Sequence, residues 1–148
     1  MTYTKIDAKV LGYLGRALSL EMNAIQQYLS VSRLTQLRGF DDLSRTFRHE
    51  AEEEMGHAER IIGRMLVLGA APNATQLRPA VLGESLPELI ASVQSLENEI
   101  VAFYQEAVSY CVHIEDFDNR VFFEQLLKEE QEHAGVMNEL QQRHMLAK

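Results

Sequence analysis

The sequence predicts an all-α four-helix bundle, built from two antiparallel helix hairpins joined by a long crossover. Three observations support this prediction. Apolar residues recur at steps of three and four over four long stretches. The helical period disappears between the second and third stretches, over about residues 69–83. Each half of the chain also contains a single glutamate followed 33 residues later by a Glu-x-x-His motif.

Composition limits the classes of function. The 148 residues are enough for one domain with a substantial core, and we expect a single domain over residues 1–148. The formal net charge is −8 and no Lys or Arg residues cluster, so the chain is unsuited to binding nucleic acid and better suited to cations. We also expect a cytoplasmic protein without membrane contact. Residues 1–7 lack the apolar core of a secretory signal, the lone Cys111 has no partner for an internal disulfide, and Arg64 interrupts the longest apolar run.

The first predicted helix extends from Asp7 to about Leu37. Its apolar stripe has one vacancy, which Glu21 fills, so the pattern predicts a carboxylate on the buried face. The stripe consists of Leu11, Leu14, Leu18, Glu21, Ile25 and Tyr28. Gly39 ends the pattern, and Asp41 is the predicted N-cap of the second helix.

The second predicted helix carries polar residues inside its apolar stripe. The stripe consists of Leu43, Phe47, Glu50, Glu54, His57, Ile61 and Met65. Residues three apart share a helix face, so Glu54 and His57 would present a carboxylate and an imidazole side by side. Their position among apolar residues predicts a buried functional site. Glu50, one turn earlier, is either a partner of that site or a polar edge.

The second hairpin follows the crossover. Ser85, Pro87 and Glu88 predict an N-cap, a first-turn proline and a capping-box glutamate. The third stripe is apolar except for one glutamate: Leu86, Ile90, Val93, Glu97, Ile100, Tyr104, Val108 and Cys111. After a short turn over residues 114–118, the fourth helix carries Phe123, Leu126, Glu130, His133, Met137 and Leu140. Cys111 is expected to be a small core residue.

The spacing predicts that the polar residues meet. Antiparallel helices bring together residues equidistant from their turn. The midpoint between Glu21 and Glu54 falls beside Gly39, and that between Glu97 and Glu130 falls beside residue 114. Each glutamate lies about sixteen residues from its turn, roughly 24 Å at 1.5 Å per residue, which is the middle of a bundle. Four glutamates and two histidines should therefore converge there.

Four carboxylates and two imidazoles suit two divalent cations, with iron and manganese favoured and zinc a competitor. The four negative charges balance two dications, which explains how so many acids can be buried. Tyr28, seven residues after Glu21 on the same face, either donates a hydrogen bond or an electron near the metals or packs in the core for its ring.

The chain resembles the bacterioferritins, within the ferritin-like di-iron superfamily, over nearly its whole length. The resemblance rests on three segments: Glu21–Tyr28, Glu54–Arg60 and Glu130–His133. It implies two iron ions per subunit and ferroxidase activity, in which oxygen or hydrogen peroxide oxidises Fe(II). The ligands it implies are Glu54 and Glu130 as bridges, Glu21 and Glu97 as terminal carboxylates, and His57 and His133 with one iron each.

The resemblance also implies further sites and an assembly. His49 and Glu53 match positions that bind an additional iron on the inner surface of the family's hollow 24-subunit shell, where Fe(III) mineral is stored. Met55 matches the methionine through which two subunits share haem b across a two-fold axis. Ala51, Met55, Ala58 and Ile62 would form a narrow apolar seam on the outer side of the second helix, which a plain dimer contact would also use.

Three alternatives concern assembly and function. The chain ends at Lys148 without room for the family's short fifth helix, so a homodimer or other small assembly is an alternative to the shell. A di-iron oxidase or peroxidase that keeps its irons as a permanent cofactor is an alternative to iron storage. A non-catalytic haem-binding or scaffold bundle with a structural polar core is a third reading.

Overall fold

The computed structural model describes residues 6–146, with side chains up to residue 144. It contains four helices: α1 (Ala8–Leu37), α2 (Asp41–Val67), α3 (Leu86–His113) and α4 (Phe117–Leu146). The pairs α1–α2 and α3–α4 form two hairpins, which meet mainly through α1 and α3. The predicted all-α four-helix bundle is confirmed. The predictions about a secretory signal and about the end of the chain concern residues that lie partly outside the described ones.

The first turn is tight because the backbone of Phe40 hydrogen-bonds to both α1 and α2. Gly39 has a φ of +85°, a left-handed conformation that glycine adopts without strain. The N–H of Phe40 donates to the carbonyl of Thr35 (2.9 Å), and the carbonyl of Phe40 accepts from the N–H of Ser44 (2.9 Å). The N-cap of α2 is therefore Phe40, and the prediction of Asp41 is wrong. Asp41 lies in the first turn instead, where its charge faces the positive end of the helix dipole.

The second turn repeats this geometry 76 residues later. Glu115 takes the place of Gly39, with a φ of +58°. The N–H of Asp116 donates to the carbonyl of Cys111 (2.9 Å). The Asp116 carboxylate accepts from the N–H of Asn119 at 3.2 Å and so caps α4. Because the hairpins turn at equivalent points, equivalent residues lie level in both.

The predicted crossover is confirmed, and side chains of α1 hold it in place. Residues 68–85 contain no helix or strand. The Asn23 amide donates to the carbonyl of Gln76 (3.1 Å) and accepts from the N–H of Arg78 (2.8 Å). The Gln27 amide donates to the carbonyl of Val81 (2.6 Å) and accepts from its N–H (2.8 Å). These contacts satisfy backbone groups that an extended segment cannot pair internally.

Of the two side-chain contacts predicted to cap the start of α3, one is formed. Ser85 is the N-cap, and its hydroxyl accepts from the N–H of Glu88 at 3.3 Å. The reciprocal capping-box bond is not formed, because the Glu88 carboxylate accepts from the N–H of Glu84 at 2.8 Å. Gly83 allows this arrangement, since a Cβ at that position would collide with the Glu88 side chain.

All four predicted stripes face the inside of the bundle. Their apolar members are buried or pack against the core, and Cys111 is fully buried as expected. The largest buried side chains are aromatic, among them Tyr13, Tyr28, Phe47, Tyr104 and Phe123. Within residues 6–146, none of the helices combines the length and apolarity needed to cross a bilayer.

Candidate di-metal site

Every helix contributes to one buried polar cluster at the middle of the bundle. α1 and α3 each supply one glutamate, and α2 and α4 each supply a Glu-x-x-His pair. Glu21, Glu54, Glu97 and Glu130 are 0% exposed, His57 is 2% exposed and His133 is 8% exposed. The structure therefore brings together all six residues that the sequence predicts to converge.

The six side chains form two overlapping groups of candidate ligands. The first comprises Glu21, Glu54, His57 and Glu130, and the second comprises Glu54, Glu97, Glu130 and His133. Within each group, four candidate ligand atoms lie within 4.8 Å of one another. Because Glu54 and Glu130 belong to both groups, they are placed to bridge two cations.

Each imidazole reaches across to the other hairpin. Nδ1 of His57 lies 2.8 Å from Oε1 of Glu130, and Nδ1 of His133 lies 2.5 Å from Oε1 of Glu54. The two rings stack at 5.5 Å between centroids, with 12° between their planes. Both Nδ1 atoms therefore face the carboxylate cluster.

Two tyrosines hold the outer carboxylates. The Tyr28 hydroxyl donates to Oε1 of Glu97 at 2.6 Å. The Tyr104 hydroxyl donates to Oε1 of Glu21 at 2.7 Å, an interaction that the sequence reasoning missed. The spacing of the sequence could have indicated this contact, because Tyr104 follows Glu97 by the same seven residues that separate Tyr28 from Glu21.

The remaining carboxylate oxygens fit a pair of cations. Oε2 of Glu21, Oε2 of Glu54, Oε2 of Glu97 and Oε2 of Glu130 are buried without a hydrogen-bond partner, while Oε1 of Glu54 lies 2.5 Å from Nδ1 of His133. A buried carboxylate oxygen without a partner is costly, and a divalent cation removes that cost. Each of the four glutamates thus offers one oxygen without a hydrogen-bond partner.

The local charges shift the pKa values of the cluster. Burial raises the pKa of Glu21, and burial with the charge of Glu21 raises that of Glu54. Burial opposes a charged His57, but the hydrogen bond to Glu130 and the nearby Glu21 carboxylate outweigh it and raise the pKa of His57 to about 10. Burial also opposes ionisation of Glu130, yet the neighbouring Glu97 carboxyl and both histidines hold its pKa well below its usual range. Protons and cations should therefore compete for the site.

A further carboxylate lies behind each imidazole. Oε2 of Glu50 is 3.6 Å from Nε2 of His133, and Glu50 is only 5% exposed. Oε1 of Glu129 is 3.8 Å from Nε2 of His57, and its other oxygen accepts from Arg60 at 2.6 Å. Glu50 is thus a partner of the site. Glu129 was not predicted, because it lies beside the apolar stripe of α4.

The remaining predicted site residues lie outside the cluster. His49 and Glu53 approach each other to 3.4 Å on an exposed part of α2. Met55 is 40% exposed. The predicted outer seam around Met55 is wrong in part, because Ala51 and Ala58 are buried in the core, and small side chains there allow close helix packing.

An antiparallel-hairpin bundle with one glutamate from each of two helices and a Glu-x-x-His from each of the others defines the class of ferritin-like di-metal carboxylate proteins. A family model for the ferritin-like domain matches residues 11–145. A bacterioferritin of Rhodobacter capsulatus is 37% identical over 133 residues, covering 90% of this chain and 83% of the relative. The chain therefore belongs to the bacterioferritin family.

A second relative and a solved structure that match this chain are also bacterioferritins. A bacterioferritin of Mycolicibacterium paratuberculosis is 32% identical over 131 residues, covering 88% of this chain and 82% of the relative. The solved structure of Rhodobacter capsulatus bacterioferritin matches with a TM-score of 0.90 and 34% identity, covering 95% of this chain and 88% of that one. That protein is described with a metal-free dinuclear site and with haem iron in a crystallographic special position.

Proposed function

We propose that this protein oxidises Fe(II) to Fe(III) at the buried cluster and acts in iron storage or detoxification, as a ferroxidase. Membership of the bacterioferritin family supports the role in iron storage. The observation that carries the proposal is the set of buried carboxylate oxygens that lack hydrogen-bond partners and lie among imidazole nitrogens. Oxygen and nitrogen ligands of these types suit iron.

Two Fe(II) ions are the substrates in this proposal. Glu54 and Glu130 would be shared by both, and each end would be completed by one outer glutamate and one histidine. The four carboxylates balance the charge of two Fe(II) ions. Each ion gives one electron, so a pair of ions reduces one dioxygen to hydrogen peroxide, or one hydrogen peroxide to two waters. Either reduction takes up two protons.

Replacing Glu130 or His133 by Ala tests the assignment. Each change removes a candidate ligand, so rapid Fe(II) oxidation measured by stopped-flow absorbance should fall by more than about 100-fold. Glu132→Ala is the matched control, because Glu132 is an exposed neighbour on the same helix. Circular dichroism establishes that each variant folds. Unchanged oxidation rates in both Glu130→Ala and His133→Ala would contradict the assignment.

Counting turnovers separates storage from a permanent di-iron cofactor. A storage protein oxidises many successive additions of Fe(II), and its assembled mass increases as iron is retained. An oxidase or peroxidase of this fold saturates at two irons per chain and consumes peroxide repeatedly. Solution mass before and after iron loading also distinguishes a shell from a dimer.

We further propose that Met55 binds haem b shared between two copies of this chain, and that His49 and Glu53 hold an additional iron. Met55 is 40% exposed on α2 and is available to a second copy, and His49 and Glu53 are already within 3.4 Å. Reconstitution with haem b should give a haem absorption band that Met55→Leu loses. A band of equal intensity in the variant would contradict the haem proposal.

A further inference from the structure

The hydrogen bonds of the two buried tyrosines cross between the hairpins in opposite directions. Tyr28 of α1 donates to Glu97 of α3, and Tyr104 of α3 donates to Glu21 of α1. Both tyrosines are at most 1% exposed, and both glutamates are fully buried. The two bonds differ by only 0.1 Å in length, 2.6 Å against 2.7 Å. The arrangement is a reciprocal pair of clamps.

We propose that Tyr104 is a positioning residue for the metal site, which fixes the Glu21 carboxylate so that only one of its oxygens is presented to a cation. The inference rests on the proposed function and deepens it. It assigns to Tyr104, in the second half of the chain, the part that Tyr28 takes in the first.

The free oxygens support this role. In both clamps the tyrosine occupies Oε1, and Oε2 is the buried oxygen without a partner. A carboxylate held at one oxygen cannot rotate freely, so its second oxygen has a defined position before any cation arrives. Prepositioning of a ligand by an outer hydrogen bond strengthens metal binding, because less ordering remains to be done on binding.

The clamp itself is held by packing. The Tyr104 ring lies 6.2 Å from the Phe123 ring and 5.7 Å from the Phe103 ring, centroid to centroid. These contacts come from both helices of the second hairpin. The hydroxyl is therefore positioned by the core and does not need Glu21 to orient it.

A second tyrosine provides a matched control. Tyr13 is 1% exposed, packs in the same aromatic group, and donates to Oε1 of Glu106 at 3.0 Å. Glu106 is exposed and belongs to neither group of candidate ligands. Tyr13→Phe thus removes a tyrosine–carboxylate bond of the same kind away from the site.

The test is calorimetric titration of the full chain, stripped of metal, with Zn(II), which binds the same ligand types without redox chemistry. Tyr104→Phe should weaken the binding of one of two zinc ions by about 10-fold to 100-fold, and Tyr13→Phe by less than about twofold. Thermal unfolding of the metal-free variants reports structural damage separately. Zinc affinity of Tyr104→Phe equal to that of the wild type, or an equal loss in Tyr13→Phe, overturns the proposal.

A double-variant cycle tests whether Tyr104 acts through Glu21. If it does, Glu21→Gln alone and Glu21→Gln with Tyr104→Phe should bind zinc equally, because the clamp has nothing left to position. Additive losses overturn the proposal. A wild-type chain that binds fewer than two zinc ions overturns the proposed function, and this inference with it. If the wild-type chain binds two zinc ions and the Tyr104→Phe variant binds them with the same affinity, the inference about Tyr104 is overturned and the proposed function stands.

Discussion

The two halves of the site match in the residues that face the cations and differ in the residues behind them. Four pairs are separated by the same 76 residues: Glu21 and Glu97, Tyr28 and Tyr104, Glu54 and Glu130, His57 and His133. Behind the imidazoles the repeat is incomplete, although Glu53 and Glu129 are also separated by 76 residues. The position equivalent to Glu50 is Leu126, and the position equivalent to Arg60 is Val136. The ligand set is thus repeated in full, whereas the surrounding charge is repeated only in part.

The difference makes the two imidazoles electrostatically unequal. The carboxylate behind His57 is that of Glu129, which is 38% exposed and paired with Arg60. The carboxylate behind His133 is that of Glu50, which is buried, and among the described residues no Arg or Lys lies within ion-pairing distance of it. A negative charge behind an imidazole raises its basicity, and this effect is stronger where solvent and a counter-ion do not screen it. The His133 end should therefore hold a cation more tightly.

Acidification tests the part in which the halves match, and it should give the largest effect. The pKa of His57 is raised to about 10, and hydrogen bonding to Glu130 also raises that of His133 against the effect of burial. His57, with a pKa of about 10, carries a proton at neutral pH, and the raised pKa of His133 favours its protonated form; these protons must leave before a cation binds. Zinc affinity should therefore rise with pH, by about tenfold per pH unit for each proton released.

Calorimetric titration across neutrality, in two buffers with different ionisation enthalpies, counts those protons. Both zinc ions should release protons on binding. A zinc affinity independent of pH would contradict the assigned ligands. Proton release by only one ion would show that the halves differ at the imidazoles themselves.

Replacing Glu50 by Gln tests the part in which the halves differ. The change removes the unscreened charge behind His133, so one zinc ion should bind about 10-fold more weakly. Glu52→Gln is the matched control, because Glu52 is exposed on the same helix and pairs with Arg48. Arg60→Gln should have the smallest effect, a gain in zinc affinity of less than about threefold, because it removes the counter-ion of Glu129 from a pair that is partly exposed. A larger loss in Arg60→Gln than in Glu50→Gln would reverse the comparison.

The sequence alone predicted most of the fold and the six central residues of the site. Polar residues inside an otherwise apolar helical stripe must be buried, and equal spacing from two turns fixes them at one level. Tyr104 was assigned only to the core because a tyrosine is ordinary in an apolar stripe. Its hydrogen bond depends on how α3 is placed against α1, which the stripe does not specify.

Other details depend on local geometry that the periodic pattern of apolar residues does not specify. Glu129 precedes a predicted ligand and lies at the edge of its stripe, so a small rotation of α4 decides whether it faces His57. Asp41 was a reasonable N-cap by residue type. The tight closure of α1 gave that position to Phe40, whose backbone alone makes the required bonds. Residue preference could not anticipate a cap that uses no side chain.

The sharing of ligands between hairpins has a mechanical consequence. One group of candidate ligands takes three side chains from the first hairpin and one from the second, and the other group reverses these numbers. Each bound cation would therefore act as a non-covalent cross-link between two halves that the backbone joins only through residues 68–85. Cleavage of that connection would leave a metal-loaded bundle held together, whereas the same cleavage without metal would leave packing and direct hydrogen bonds between the hairpins, such as the tyrosine clamps and the Arg60–Glu129 pair, to resist separation.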